Sequence, residues 1–149
     1  MSKIKEIAAR LRSLTPEVMR EETLRILKDN ETIATNMNTD QLFAGKLASG
    51  QDMPDYSETS IEKFGKRPGP YQLYETGEFY RKFYLNTTKF PVTIFSEDNK
   101  TPRIMELIES KGQNPDDIFG LNKINFKELA RVYTLPELQA LLRKTIKLR

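Results

Sequence analysis

The sequence contains no cysteine, no histidine and no tryptophan in 149 residues. Without cysteine, disulfide bonds and thiolate chemistry are excluded. Without histidine, the chain lacks the commonest general base and the commonest transition-metal ligand, which excludes catalytic triads built on histidine. We therefore expect no enzymatic activity, no cofactor and no metal site.

Long apolar runs are also missing. Apolar residues make up 38% of the chain, charged residues 30%, and the mean hydropathy is −0.60. The N-terminal stretch has charges interleaved through it and lacks the apolar region of a secretory signal. No window has the apolar length that crossing a bilayer requires, so we expect a chain with no membrane partner.

The length of 149 residues fits one domain with a substantial core. Helical patterns surround a short β-rich centre, which predicts an α+β fold with amphipathic helices packed on a small, mostly antiparallel sheet. Within this single domain we expect N-terminal helices over 1–37 and a loop-rich segment over 38–70. The small sheet and the C-terminal helices are expected over 71–149.

The N-terminal helix is predicted over Ser2–Leu14, with apolar residues at three- and four-residue steps and Lys and Arg on the other face. The whole chain has a net charge of +3 and a pI near 9.0. A basic amphipathic helix can lie on a membrane or on an anionic partner. The commoner use is a packing helix with a solvated face, which we expect here.

Other helices are predicted from caps and apolar spacing. One runs from Thr15 to about Asn36, with Asn30 interrupting its apolar stripe. Another runs from Thr101 to a stop at Gly112, and a third covers about 125–133. The segment Thr134-Leu135-Pro136-Glu137 has the spacing of a capping box, which predicts a separate final helix.

The centre of the chain is predicted to be β-rich. A basic loop over Gly65–Pro70 precedes a possible strand at Tyr71–Tyr74. Gly77 can adopt a positive φ in the turn that follows. The aromatic run from Phe79 predicts one helical turn passing into a strand, and Pro91–Ser96 is the clearest strand in the sequence.

The candidate functional residues are the cations and aromatic residues of this region. Arginine and aromatic residues are enriched in the centres of interfaces, although four closely spaced aromatic residues more often form a core. The candidate interface residues are Lys66, Arg67, Tyr71, Tyr74, Phe79, Tyr80 and Tyr84. Lys66 and Arg67 are also candidates for facing DNA or the lumen of a ring.

Four motifs occur in a characteristic order. They are a glycine-containing loop followed by Tyr56-Ser57 and Thr59 with Lys63 and Lys66, then Leu73-x-x-Thr76-Gly77-x-Phe79, the strand from Val92 to Ser96, and Ile118-Phe119-Gly120-Leu121 before helical sequence. This order resembles the tail-completion and head–tail joining proteins of tailed phages, often labelled phage virion morphogenesis proteins. The resemblance covers roughly residues 41–148.

The resemblance implies a structural virion assembly protein without catalysis. Such a protein acts at the neck or tail terminus, where it completes the tail and helps to join it to the head. Its partners would be further copies of itself in a ring and other phage neck or tail proteins, with transient proximity to DNA. It would be found in the virion, and in the host cytoplasm during assembly.

Two other functions remain open from the sequence. The first is a small nucleic-acid-binding or regulatory protein that uses basic helix and loop surfaces. The second is a metal-dependent hydrolase that uses scattered Asp and Glu side chains.

Overall fold

The computed structural model describes residues 2–73, 77–88 and 91–147. The predicted α+β fold with a small antiparallel sheet is confirmed. Its elements are α1 (Lys3–Arg12), α2 (Pro16–Asp29), α3 (Glu31–Phe43), α4 (Glu58–Phe64), α5 (Glu78–Arg81), β1 (Phe83–Asn86), β2 (Thr93–Ser96), α6 (Thr101–Ser110), a 3₁₀ turn (Pro115–Ile118), α7 (Lys123–Glu128), a π-helical segment (Leu129–Thr134) and α8 (Leu135–Ile146).

The chain divides into two compact units, which we describe separately. The first unit comprises residues 1–31 and 127–149, and the second comprises residues 32–126. The expected single-domain organisation stays a prediction. Within the described residues, no helix combines the length and apolar character that crossing a bilayer requires.

The first unit is helical. α2 starts at Pro16, where the hydroxyl of Thr15 accepts a hydrogen bond from the backbone N–H of Val18 at 3.2 Å. α1 packs against α8 but contains no buried residue. Ile4 is 80% exposed and Leu11 is 41% exposed, so the apolar stripe of α1 is only partly used in packing.

The predicted capping box at Thr134 is wrong. Thr134 has helical backbone angles and no side-chain cap, and its hydroxyl donates to the carbonyl of Leu129 at 3.2 Å instead. Helical backbone continues from α7 through the π-helical segment into α8. Pro136 has no N–H to offer the preceding turn, and the wider π geometry, in which Leu135 donates to Ala130, accommodates this loss.

The second unit holds the sheet and its aromatic core. β1 and β2 pair antiparallel, with Phe83 opposite Ser96 and Leu85 opposite Ile94, and these four residues are buried. α5 runs directly into β1, as the aromatic run predicted. The ring of Phe83 lies 5.0 Å from Phe79, 5.5 Å from Tyr80 and 5.8 Å from Phe119, measured between centroids.

α3 carries buried polar residues that hold the Ile118–Asn122 segment. Asn38 is fully buried, donates to the carbonyl of Ile118 at 3.0 Å and accepts from the N–H of Gly120 at 2.9 Å. Gln41 donates to the carbonyl of Gly120 and accepts from the N–H of Asn122 at 2.7 Å. The helical region was expected to end near 37, but these buried contacts extend it to Phe43.

The part of the predicted strand at Tyr71–Tyr74 that the structure describes is not a strand. Tyr71 donates its N–H to the carbonyl of Pro54 at 2.9 Å, and residues 71–73 are irregular. Leu73 has φ +55°, which an extended strand cannot contain. Gly77 has the expected positive φ, +82°.

Candidate functional site

An open groove of about 900 Å³ lies within the second unit. One wall of the groove is formed by α6, and the opposite wall is formed by α4 and the loop that follows α4. Its lining includes aromatic and aliphatic residues, cations and acidic residues, among them Tyr56, Phe64, Tyr71, Leu107, Lys66, Lys100, Arg103, Glu78 and Glu106. Aromatic, aliphatic and charged side chains of both signs therefore meet in one depression.

α4 presents Phe64 at the rim of the groove. The hydroxyl of Ser57 accepts from the N–H of Ser60 at 3.2 Å and caps the helix. Gly65, with φ +62°, ends it in the left-handed conformation that glycine adopts without strain. Phe64 occupies the last turn and is 72% exposed, a large apolar side chain left in solvent.

The aromatic floor is formed by Tyr56 and Tyr71. The two rings make an edge contact with centroids 4.7 Å apart, and Tyr71 is buried. Lys66 places its Nζ 5.8 Å from the centroid of the Tyr56 ring, within the range of a cation–π contact. Leu73 also lines the groove in its left-handed conformation, which costs a residue with a side chain about 1–2 kcal/mol.

α6 supplies the opposite wall, and Asp98 anchors its start. The Asp98 carboxylate, which is buried, accepts from the backbone N–H of Lys100 at 2.9 Å and pairs with Lys82 at 3.3 Å. The hydrogen bond from the Lys100 N–H, helped by Lys82, lowers the pKa of Asp98 despite the opposing effect of burial. This anchoring holds Arg103 and Leu107 along the groove.

The predicted interface residues do not lie together. Lys66, Tyr71 and Phe79 line the groove, whereas Arg67 lies exposed in the loop outside it. Tyr80 is buried against Phe43 and Phe83 and donates to the carbonyl of Gln72. Burial raises the pKa of the Tyr80 hydroxyl.

Tyr84 stands apart from the groove, on β1, where its ring makes an edge contact with Phe95 at 6.5 Å. Tyr74 lies outside the described residues. An interface role for these seven residues stays a prediction.

Sequence reasoning missed Tyr56, Phe64 and the wall contributed by α6. Phe64 had a usable signal, because it is an aromatic residue within the basic stretch Lys63 to Arg67. No sequence signal indicated the contribution of α6, because that contribution depends on how the helix packs beside the loop.

The groove combines features suited to binding. Its apolar floor can bury a partner's side chains, and the charged residues around it, such as Lys66, Arg103 and Glu106, can pair with polar groups of a partner. Among the described residues there is no group of three or more His, Cys, Asp or Glu side chains arranged to hold a metal ion.

Neither protein-family models, nor curated proteins, nor solved structures gave a match to this chain. The function is therefore argued from the chemistry of the described residues and from the motif order in the sequence.

Proposed function

We propose that this protein is a structural component of a tailed phage or prophage particle that acts at the neck or tail terminus. In this role it completes the tail and joins it to the head, without catalysis. The order of motifs in the sequence supports the proposal.

The observation that carries the proposal is the exposed apolar surface of the second unit. Phe64 is 72% exposed, Ile124 is 76% exposed and Phe126 is 63% exposed. Large contiguous apolar patches mark sites where another molecule binds, whereas a single exposed apolar side chain is common; three side chains exposed this strongly in one unit are candidates for such contacts. A protein that works as a subunit of a larger particle buries such side chains against its neighbours.

Assembly into a ring requires a heterologous interface, in which two different surfaces of the same chain meet. The groove supplies one concave surface, with Phe64 at its rim. Ile124 and Phe126 lie on a different element, α7, and are both exposed, although residues two apart on a helix do not share a face. Exposed apolar side chains on two unlike elements of one subunit fit a head-to-tail arrangement.

The proposal is tested by measuring particle mass with light scattering, for the protein alone and mixed with a tail-tube protein from the same phage or prophage. We expect ring-sized species in the mixture. Replacing Phe64 with Ser should weaken their formation about 30-fold, the effect of an interface residue worth about 2 kcal/mol. Lys63→Ser, at the neighbouring exposed position, serves as the matched control.

A protein that stays monomeric with every neck and tail partner would contradict the proposal. If the Phe64 and Lys63 variants assemble equally well, the protein still acts in assembly, but the rim of the groove is not part of the interface. Electron microscopy of the mixture distinguishes closed rings from open filaments.

A further inference from the structure

The two units differ in charge, although the whole chain is only mildly basic. The first unit contains 13 Lys and Arg and 8 Asp and Glu, a net charge of +5. The second contains 11 Lys and Arg and 13 Asp and Glu, a net charge of −2. Positive charge is therefore concentrated in the helical first unit.

Packing of α1 against α8 brings cations from distant parts of the sequence together. Arg10 on α1 donates to the backbone carbonyl of Lys147, just after the end of α8. The same guanidinium pairs with Glu6 at 3.5 Å. The last turn of α8 consequently lies beside α1, and Arg10 is occupied in holding the two together.

Six further cations on these elements are exposed, and we call them the basic surface. None of the six forms an ion pair within the described part of the chain. They are Lys3, Lys5 and Arg12 from α1, and Arg143, Lys144 and Lys147 from α8 and its end.

The acidic residues of α1 and α8 do not neutralise this surface. The one acidic residue of α1, Glu6, is paired with Arg10. The one acidic residue of α8, Glu137, lies in its first turn, at the opposite end from Lys144 and Lys147. α2, which also packs against α8, carries Glu17 and Glu21, and its Glu22 and Asp29 pair with Arg25. Six cations therefore exceed the acidic residues that these helices place beside them.

The helix dipole accounts for only part of this arrangement. Cations in the last turn of α8 interact favourably with the negative end of that helix. Lys3 and Lys5, however, stand in the first turn of α1, where the dipole disfavours positive charge. An external anion explains their position, whereas helix stability does not.

We propose that the basic surface binds the phosphate backbone of duplex DNA without reading its sequence. α1 is about 15 Å long, a length over which duplex DNA carries roughly nine phosphate charges. Neither α1 nor α8 contains an aromatic residue, so the surface offers no platform on which unpaired bases would stack. Duplex is therefore favoured over single-stranded nucleic acid.

An anionic membrane is the less favoured occupant. Interfacial helices bury a broad apolar face that often includes aromatic residues. The strongly exposed apolar side chains of α1 are Ile4 and Leu11, and the helix has no Trp, Phe or Tyr. The positive charge of this surface therefore suits a phosphate backbone, whereas its exposed apolar area is too small to favour lipid.

The test is fluorescence anisotropy of a labelled 20-base-pair duplex, titrated with the full-length protein at increasing salt. Engagement of all six cations predicts an affinity that falls about 10³-fold between about 50 mM and 200 mM salt. The variant Arg12→Glu/Lys144→Glu should bind at least tenfold more weakly, with a logarithmic salt slope smaller by about two. The control is Lys111→Glu/Lys123→Glu, which makes the same charge change on exposed lysines of the second unit.

The following results would each contradict the proposal. No duplex binding at about 50 mM salt, or binding that is insensitive to salt, would overturn the proposal, because phosphate contacts release counterions. An equal loss in the control would remove the basic surface as the site. Tighter binding to single-stranded DNA, or binding only to vesicles of phosphatidylglycerol and phosphatidylcholine, would assign another occupant.

If the double variant fails to fold, as judged by circular dichroism, the milder Lys5→Gln/Lys147→Gln replaces it, with the same expected direction. This inference does not rest on the proposed particle function. Particle mass and DNA affinity are measured separately, so either proposal can fail while the other stands.

Discussion

Buried amides at two positions on α3 hold the Ile118–Asn122 segment in place. Asn38 and Gln41 satisfy backbone groups of that segment that would otherwise be buried without partners. Leaving a buried donor or acceptor unpaired costs about 1–3 kcal/mol. Two small polar residues thereby stabilise the segment that carries Phe119.

Replacing Asn38 with Ala should lower the free energy of unfolding by about 2–4 kcal/mol, since the N–H of Gly120 and the carbonyl of Ile118 both lose their partner. Urea denaturation followed by circular dichroism measures the change. Asn36→Ala, on an exposed position of the same helix, should leave stability unchanged or slightly raised because Ala is the better helix former. Equal effects of the two substitutions would show that the buried amide does not hold the segment.

Asp98 makes stability depend on pH. Its pKa is lower in the folded protein than in the unfolded chain, where it is about 3.9. The carboxylate therefore stabilises the fold at a pH above about 3.9, and this stabilisation is lost as the pH falls through the folded-state pKa. Asp98→Asn should lower the melting temperature at pH 7, and the difference from the wild type should shrink as the pH falls below about 4. Glu97→Gln, the same change of carboxylate to amide at the adjacent exposed position, is the matched control; a difference for Asp98→Asn that stays constant with pH would refute the linkage.

At the scale of elements, local patterns predicted β2, α6 and the helical turn of α5 that passes into β1, because each depends on neighbouring residues. The single helix predicted from Thr15 to about Asn36 is wrong: the structure has two helices, α2 and α3, which are separated at Asn30. The end near 36 was placed too early, because Asn38 and Gln41 are polar and polarity indicates surface until a buried partner is known. The π-helical segment was missed because Pro136 is equally typical of a new helix. The α6 wall of the groove arises from tertiary packing alone, which no local pattern contains.

The aromatic core gives a prediction for β1. Phe83→Ala should lower the free energy of unfolding by about 3–5 kcal/mol, because Phe83 is 8% exposed and contacts three rings. Tyr84→Ala, at the adjacent half-buried position, should cost clearly less. Chemical denaturation measures both, and a larger loss for Tyr84 would reverse the assignment of the buried face.

At the scale of the whole molecule, the net charge of +3 is the sum of a basic first unit and an acidic second unit. The overall charge therefore gives a weak prediction about anionic partners, whereas charge counted by unit gives a strong one. The sequence contains this information, but it becomes usable only when residues before 32 and after 126 are known to belong together.

The division of the chain also has a consequence for biosynthesis. The second unit is a continuous segment, so its residues are all available once translation has passed residue 126. The first unit needs residues from both sides of that segment, and α1 has no α8 to pack against until the final stretch is made. The basic surface therefore cannot form until residues 127–147 have been made, after every residue of the groove has been synthesised.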